Sequence, residues 1–200
     1  MIIEWAQFLE NGLPIRQKKA SVTVGVFDGV HRGHRSLIER VVSHDDYVSV
    51  AFCVSRDDKK MGNGGQETGN IQTLQEKTQM LLGLGLNILV LINFDESFRH
   101  IPGNDFLEIL LKHMDIGFFA VGSDFRCGYN LDTDAAAIHD FFSARRIPVE
   151  IVPEVMEGGL PISSSRIRAA LAAGDFSAAG AMLGREWHRT EKNLNISGKI

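Results

Sequence analysis

Short runs of apolar and β-branched residues recur along the chain and predict the strands of a sheet. These runs lie at 22–27, 47–54, 87–93, 117–121 and 148–152. Most of their positions are apolar, which is typical of strands that helices cover on both faces.

Between these runs, apolar residues recur three and four positions apart and predict helices. The helices are expected from His34 onward, from Thr73 to about Leu84, around 106–111, and at 135–145, 164–173 and 176–183. Because strands and helices alternate, we predict an α/β fold with a parallel sheet of about five strands flanked by helices. We expect one domain over residues 1–185, interrupted by a Gly- and Lys-rich surface loop at 57–70, and a polar tail or linker at 186–200.

Composition narrows the setting in which the protein works. A net charge of −4 argues against broad binding to nucleic acid or to anionic lipid. Cys53 and Cys127 are the only cysteines and have no metal-like spacing, which favours a reducing, cytoplasmic location. The first ten residues show no secretory pattern, and no apolar run approaches the length needed to span a membrane.

The stretch GVFDGVHRGH follows the first predicted strand and opens the first helix. Ligands of open α/β sheets bind at such strand ends, where a helix N-terminus offers free N–H groups to a phosphate. Gly25 and Gly29 allow the backbone to turn tightly or to approach a ligand, and Gly33 leaves room between His31 and His34. The two imidazoles would add donors for phosphate oxygens at the same point.

Other interpretations of this stretch are less specific. Two histidines three residues apart could share a metal ion, but apart from Asp28 no third ligand stands nearby, so we expect no metal held by the protein itself. An arbitrary H-x-x-H pair is more often a pair of surface histidines. The spacing G-x-G-x-x-G of dinucleotide-binding proteins is absent.

The composite pattern G-x-F-D-G-x-H-x-G-H resembles the HxGH nucleotidyltransferase superfamily and, within it, the bacterial FAD synthetases, which are FMN adenylyltransferases. The resemblance implies a Rossmann-like nucleotidyltransferase fold. It implies that His31 and His34 hold the phosphates of ATP and stabilise charge at the α-phosphate. It also implies that ATP is bound by other residues of the turn, namely Gly25, Phe27, Asp28, Gly29 and Gly33.

A second segment, PISSSRIRAAL, places three serines directly before a predicted helix. A capping role would explain one serine, but not three followed by two arginines. Hydroxyls, free N–H groups and a guanidinium at one helix start suit an anion. The segment is similar to the ISSTRIR motif of the same superfamily. The resemblance implies that Ser163, Ser164, Ser165 and the catalytic Arg168 hold the β- and γ-phosphates opposite the histidines.

A third segment, VGSDFRCG, follows another buried run and resembles the VGxDFRFG segment of the FAD synthetases, with Cys127 in place of phenylalanine. An ion pair between Asp124 and Arg126 that fixes the loop is an equally good interpretation from the residues alone. The resemblance implies that this loop contacts nucleotide and flavin in the cleft through Asp124, Phe125, Arg126 and Gly128.

The match is weaker on the acceptor side. The family's F-D-P-H-P segment is replaced by the residues at 52–56, which predicts a differently shaped loop, and Leu131 stands where a basic residue is usual. Bacterial FAD synthetases usually continue into a riboflavin kinase barrel. ISGKI at 196–200 looks like the opening of that barrel, so we expect either a stand-alone adenylyltransferase, with the barrel absent, or a piece of a longer chain.

The resemblance therefore implies an enzyme that transfers AMP from ATP, taken up with Mg²⁺, to FMN, forming FAD and pyrophosphate. Two alternatives stay open. The acceptor could be another phosphomonoester, such as phosphopantetheine or nicotinate mononucleotide, or the chain could bind nucleotide or flavin without turnover. ATP and FMN are the expected partners, and neither nucleic acid nor a membrane is expected.

Overall fold

The computed structural model describes residues 1–15, 18–55 and 70–187. Nearly all of the predicted loop at 57–70 and most of the predicted tail, including ISGKI, lie outside these residues. Within the described part of the chain, no helix is long and apolar enough to cross a membrane.

A parallel sheet of six strands, in the order β1-β4-β3-β2-β5-β8, forms the centre of the molecule. Two antiparallel pairs, β6 with β7 and β9 with β10, lie outside it. The strands are β1 (Ile2–Glu4), β2 (Ala20–Gly25), β3 (Val48–Ser55), β4 (Ile88–Asn93), β5 (Ile116–Gly122), β6 (Arg126–Cys127), β7 (Thr133–Asp134), β8 (Val149–Val152), β9 (Met156–Glu157) and β10 (Leu160–Pro161).

Helices connect the strands and cover both faces of the sheet. They are α1 (Trp5–Asn11), α2 (Arg32–Val42), α3 (Leu74–Gly83), α4 (Glu96–Arg99), α5 (Gly103–His113), α6 (Ala135–Ser143), α7 (Ser164–Ala172) and α8 (Phe176–Leu183), with a 3₁₀ turn at Tyr129–Leu131. The α/β class and the parallel sheet predicted from the sequence are confirmed. The sheet has one strand more than expected. The additional strand is β1, which pairs with β4 at the edge of the sheet through only three residues.

Two details of the sequence prediction are wrong. The first strand ends at Gly25 and not at residue 27, because Phe27 adopts a positive φ of 52° that no strand accommodates. The strand predicted at 47–54 is confirmed and runs one residue further, to Ser55, so the residues that replace the F-D-P-H-P segment, expected to form a differently shaped loop, are the last part of β3 as far as Ser55. Arg56 lies outside the described residues.

Successive residues of the central strands face opposite sides of the sheet, and two apolar cores result. In β3, Val50 and Phe52 enter the core beneath α1, α5 and α6, while Ala51 and Cys53 enter the core beneath α2 and α3. A third, smaller cluster joins α7 and α8 to Ile71. This helix pair is thereby packed next to the turn that follows β2.

The order of the strands reverses at β2. From β2 the chain proceeds outward through β3 and β4 on one side, and β5 and β8 lie on the other. In open α/β sheets, a crevice for ligands lies outside the carboxyl ends of the strands at such a reversal. The turn after Gly25 occupies this position.

Packing of α6 against the sheet provides a test of the core. Phe142 is fully buried, and its ring stacks on that of Phe119 with centroids 4.6 Å apart. We expect Phe142→Ala to lower the free energy of unfolding by about 3–5 kcal/mol, because it leaves a cavity in a close-packed core. Chemical denaturation would measure this. Phe176→Ala, at a ring that is 43% exposed, is the matched control. Equal losses in the two variants would contradict this description of the core.

Candidate active site

The turn between β2 and α2 has an unusual backbone. Phe27, Gly29 and Val30 have φ values of 52°, 85° and 39°. A positive φ is uncommon for phenylalanine and costly for a β-branched residue such as valine. Both side chains are fully buried, so packing holds the backbone in this form. The buried side chains therefore hold the backbone of this turn in one defined conformation.

The two histidines lie together where α2 begins. Their rings are stacked, with centroids 3.5 Å apart and planes inclined by 19°. His31 is the N-cap of α2, and its Nδ1 accepts a hydrogen bond from the backbone N–H of His34 at 3.3 Å. An accepting Nδ1 assigns the ring proton to Nε2. A β-carbon at Gly33 would lie 3.2 Å from the His31 ring, so the glycine allows this close packing.

Both histidines are uncharged at neutral pH. Burial, supported by the charge of Arg185, lowers the pKa of His31 to about 4. Burial lowers the pKa of His34 well below its usual value, and the neighbouring His31 and Lys77 lower it further. Nδ1 of His34 is buried without a hydrogen-bond partner. The pair therefore consists of neutral imidazoles, one of which has an unused polar atom.

Asp28 connects this turn to the serine-rich segment. Its carboxylate, which is almost fully buried, accepts hydrogen bonds from the Ile71 N–H at 3.0 Å and from Arg168 Nη1 at 2.6 Å. Its backbone carbonyl accepts one from the Ser164 hydroxyl at 2.8 Å. Burial raises the pKa of Asp28, and the Ile71 N–H and Arg168 partly offset that rise. Residues from the two ends of the domain thus meet at one aspartate.

The three serines predicted to bind ATP occupy three different positions. Ser163 is the N-cap of α7 and accepts from the Arg166 N–H at 3.2 Å, which is the capping role that one serine was expected to fill. Ser164 bonds to Asp28, as described above. Ser165 is exposed and accepts from Arg168 Nη2 at 3.4 Å. Of the three serines, only Ser165 is exposed, and its hydroxyl lies beside Arg168 at the start of α7.

Two cations that the sequence analysis did not select also contact the turn. Lys77, which is buried in α3, donates to the Val26 carbonyl at 3.0 Å. Arg185, just beyond α8, donates to the Gly29 carbonyl at 2.7 Å. Neither cation forms an ion pair in the described residues, although Asp28 attracts Lys77 and Glu76 attracts Arg185, and both bring positive charge to the turn. Neither residue belongs to a motif, so the sequence carries no signal for them.

An apolar cavity of about 110 Å³ borders the same turn. Gly25 and Val26 form part of its wall, and four phenylalanine rings line it, those of Phe94, Phe98, Phe106 and Phe125. Of the residues predicted for the flavin side, Phe125, Arg126 and Gly128 line this cavity. Asp124 is exposed outside it and forms no ion pair with Arg126 among the described residues.

A larger cleft of about 970 Å³ lies at the opposite, amino-terminal edge of the sheet. Its basic lining includes Lys112 in the last turn of α5 and Arg145 just beyond α6. Cations at helix C-termini complement the helix dipole, which explains their presence structurally. None of the residues predicted for the site lines this cleft.

Metal ligands are not clustered in the described part of the chain, where no three His, Cys, Asp or Glu side chains are grouped so that they could hold a metal ion.

The neutral histidine pair makes stability depend on pH. The pKa of His31 is 6.5 in an unfolded chain and about 4 in the fold. Between these pH values the unfolded state binds more protons, so folding stability falls as the pH is lowered from about 6.5 to about 4. We expect this residue to account for up to about 3 kcal/mol of that loss. Chemical denaturation of the wild type and of His31→Gln at several pH values in this range would measure the effect. The free energy of unfolding of the variant should depend less on pH than that of the wild type.

The control for this experiment is His139→Gln, at an exposed histidine on α6. Asp28 acts in the opposite direction, because its raised pKa favours the folded state on acidification, but it is present in all three proteins. Identical profiles for the wild type and His31→Gln would contradict the assignment of a buried neutral imidazole.

The chain is similar in sequence to proteins of several bacteria. It is 28% identical over 188 residues to a bifunctional riboflavin kinase/FMN adenylyltransferase of Escherichia coli, a match that covers 92% of this chain and 58% of that protein. It is 28% identical over 181 residues to an FAD synthetase of Listeria monocytogenes, covering 88% of this chain and 74% of the relative. The chain thus spans little more than half the length of the bifunctional relative.

Solved structures show the same architecture. A Streptococcus pneumoniae structure, described as a macrolide-efflux protein, superposes with a TM-score of 0.78 at 25% identity, covering 92% of this chain and 60% of that one. A pantoate-β-alanine ligase of Francisella tularensis, solved with an ATP analogue and β-alanine, superposes with a TM-score of 0.59 at 16% identity, covering 98% of this chain and 84% of that one. The latter likeness concerns the fold alone.

Residues 13–166 of the chain match the sequence model of the FAD synthetase family. The match includes the turn with both histidines and ends within the serine-rich segment, before Arg168. Because it covers most of the chain and agrees with the relatives and the fold, this chain belongs to the FAD synthetase family.

Proposed function

We propose that this domain transfers AMP from ATP to FMN, forming FAD and pyrophosphate. One observation carries the proposal: a positively charged site at two helix N-termini and an aromatic cavity share the turn at Gly25 and Val26. Transfer of AMP to FMN needs this combination, because a flavin held by aromatic rings must present its phosphate to the α-phosphorus of ATP. The names of the relatives from Escherichia coli and Listeria monocytogenes agree with it.

The reaction needs little covalent chemistry from the protein. A phosphate oxygen of FMN attacks the α-phosphorus, a new P–O bond forms, and the bond to the oxygen that bridges the α- and β-phosphates breaks. Pyrophosphate leaves with that bond's electrons. The attacking phosphate is already ionised at neutral pH, so no base is needed, and catalysis comes from positioning and charge stabilisation.

The residues of the turn have defined roles in this proposal. His31, through its Nε2–H, and His34 donate hydrogen bonds to the α-phosphate and to the bridging oxygen as charge develops there. Bound phosphate raises the pKa of an adjacent imidazole, so either ring could take up a proton in the complex. The free N–H groups of α2 contribute in the same direction.

The start of α7 is proposed to hold the departing pyrophosphate. Ser165 exposes its hydroxyl there, and Arg168 brings a guanidinium to the same surface. Ser163 and Ser164 act mainly by fixing this helix start, the first as its cap and the second through Asp28. Magnesium enters with the nucleotide as the MgATP substrate, and the triphosphate supplies its ligands.

The aromatic cavity favours FMN among the possible acceptors. Phenylalanine rings stack well on a flat aromatic system such as the isoalloxazine ring. Phosphopantetheine is aliphatic and offers no such surface. Leu131, in place of the basic residue usual in the family, is 56% exposed at the wall of the cavity and enlarges its apolar surface.

A chain that binds flavin and nucleotide without turnover is the second candidate, favoured by the absence of the F-D-P-H-P segment from β3. Incubation with ATP, Mg²⁺ and FMN, followed by chromatography for FAD and pyrophosphate, decides between turnover and binding alone.

We further propose that residues 1–185 form the catalytic unit, followed by a linker. We also propose that the protein works in the reducing cytoplasm, where Cys53 and Cys127 stay free thiols.

Loss of one imidazole should slow the reaction strongly. We expect His34→Gln to lower kcat for FAD formation roughly a hundredfold or more, as the loss of one oxyanion donor does in other enzymes. His139→Gln, on the surface of α6, should leave kcat unchanged. A His34→Gln enzyme with wild-type kcat would contradict the role of the histidine pair.

The aromatic cavity should affect FMN and not ATP. We expect Phe125→Ala to raise the KM for FMN about tenfold, because it removes apolar contact area from one substrate only. The KM for ATP should stay within about twofold of the wild-type value, since that substrate contacts the other side of the turn. Initial rates with each substrate varied in turn would show this. A parallel rise of both KM values would place the flavin elsewhere.

A further inference from the structure

Arg185 reaches the catalytic turn from the far end of the domain. It follows Gly184, where α8 ends in a left-handed residue. Its Nη2 donates to the Gly29 carbonyl at 2.7 Å and to the Gln72 side-chain oxygen at 3.2 Å. Its Nη1 donates to the Val30 carbonyl at 3.2 Å. A single guanidinium thus holds two consecutive carbonyls of the turn.

These two carbonyls belong to the residues with positive φ immediately before His31. Apolar contacts support the same place, because a β-carbon built on Gly29 would lie 2.9 Å from Ile71 Cδ1 and 3.4 Å from Leu183 Cδ2. The turn is therefore fixed by packing against Ile71 and Leu183 and by the guanidinium of Arg185, which follows α8. Removing the donor would leave buried carbonyls unsatisfied and would release the strained backbone.

Arg185 also brings charge to the site. It donates to neutral oxygens and forms no ion pair in the described residues, although Glu76 attracts it from farther away. Burial, together with repulsion by Arg35, lowers the pKa of Arg185 to about 10, so it stays charged at neutral pH. A half-buried cation without a bonded carboxylate has charge left over for an anionic ligand.

We propose that Arg185 is a positioning residue for AMP transfer, which holds the turn at Gly29 and Val30 so that His31 and the start of α2 face the triphosphate, and which keeps a positive charge beside them. The proposal rests on the proposed function for its kinetic part only. Arg185 lies outside the residues that the FAD synthetase sequence model matches. It touches neither the aromatic cavity nor Asp28.

The charged and titratable groups around His31 define what a titration would report. Arg185 faces it from the end of α8, and its charge lowers the pKa of His31. The ring of His34 stacks on it from α2, and Lys77 in α3 acts on His34. Asp28, earlier in the same turn, is paired with Arg168 from α7. Among these groups, Arg185 is the charge that acts on His31 itself.

The test uses two variants. Arg185→Gln removes the charge and most of the fork, by which we mean the paired hydrogen bonds from Nη1 and Nη2 to the Val30 and Gly29 carbonyls. Arg185→Lys keeps the charge but loses the fork. Arg145→Gln, at an arginine paired with Glu108 on a distant surface, is the matched control. NMR titration of the imidazole resonances in the ligand-free proteins needs no enzymatic activity. We expect the pKa of His31 to rise toward its ordinary value in Arg185→Gln, to stay low in Arg185→Lys and to be unchanged in the control.

Steady-state kinetics provide the second readout. We expect Arg185→Gln to lower kcat/KM for ATP about ten- to a hundredfold, as small misplacements of catalytic groups do, and Arg185→Lys to lower it less. An unchanged His31 titration in folded Arg185→Gln, or a kcat/KM equal to that of Arg145→Gln, would overturn the proposal. If Arg185→Gln does not fold, Arg185→Lys decides, since an unaltered kcat/KM there excludes any role for the fork. A wild type that forms no FAD would refute the proposed function, whereas the titration would still test the placement of Arg185.

Discussion

The site depends on one buried carboxylate, that of Asp28. It accepts from Arg168 of α7 and from the backbone of Ile71, while its own carbonyl accepts from Ser164. Removing one member of such a buried pair leaves an uncompensated charge, which is strongly destabilising. The aspartate therefore fixes the distance between two helix N-termini that lie more than 120 residues apart in sequence. In the proposed function, both ends of a triphosphate can be held only if that distance is kept.

Around this connection, the protein combines neutral donors with surplus cations. The stacked imidazoles of His31 and His34 cannot both be charged at 3.5 Å, and burial keeps them neutral. Positive charge comes instead from Lys77 and Arg185, which donate to carbonyls, whereas Arg168 is paired with Asp28. Such an arrangement stabilises charge on phosphates through fixed groups that need no reorganisation during the reaction. In the proposed function, the aromatic cavity next to the turn adds the selectivity for the acceptor.

The sequence was sufficient for the elements that local chemistry determines. Apolar runs located the five longer strands of the sheet, and the helix predicted from Thr73 begins there, with Thr73 and Glu76 forming a capping box. The β1 strand escaped prediction because three residues at a sheet edge carry no pattern. Lys77 and Arg185 escaped it for another reason: each reaches the turn from an ordinary helix or helix end, and only tertiary packing places it there. The same holds for the rings of Phe94 and Phe98 in the cavity.

The central claim is that the two helix starts joined by Asp28 hold one triphosphate beside the aromatic cavity. A crystal structure of the chain with a non-hydrolysable ATP analogue, Mg²⁺ and FMN tests it most directly. The account predicts phosphates between the histidine pair and the start of α7, the flavin ring among the phenylalanines, and an FMN phosphate oxygen about 3–3.5 Å from the α-phosphorus. A nucleotide bound at the amino-terminal edge of the sheet, or a flavin outside the cavity, would contradict it.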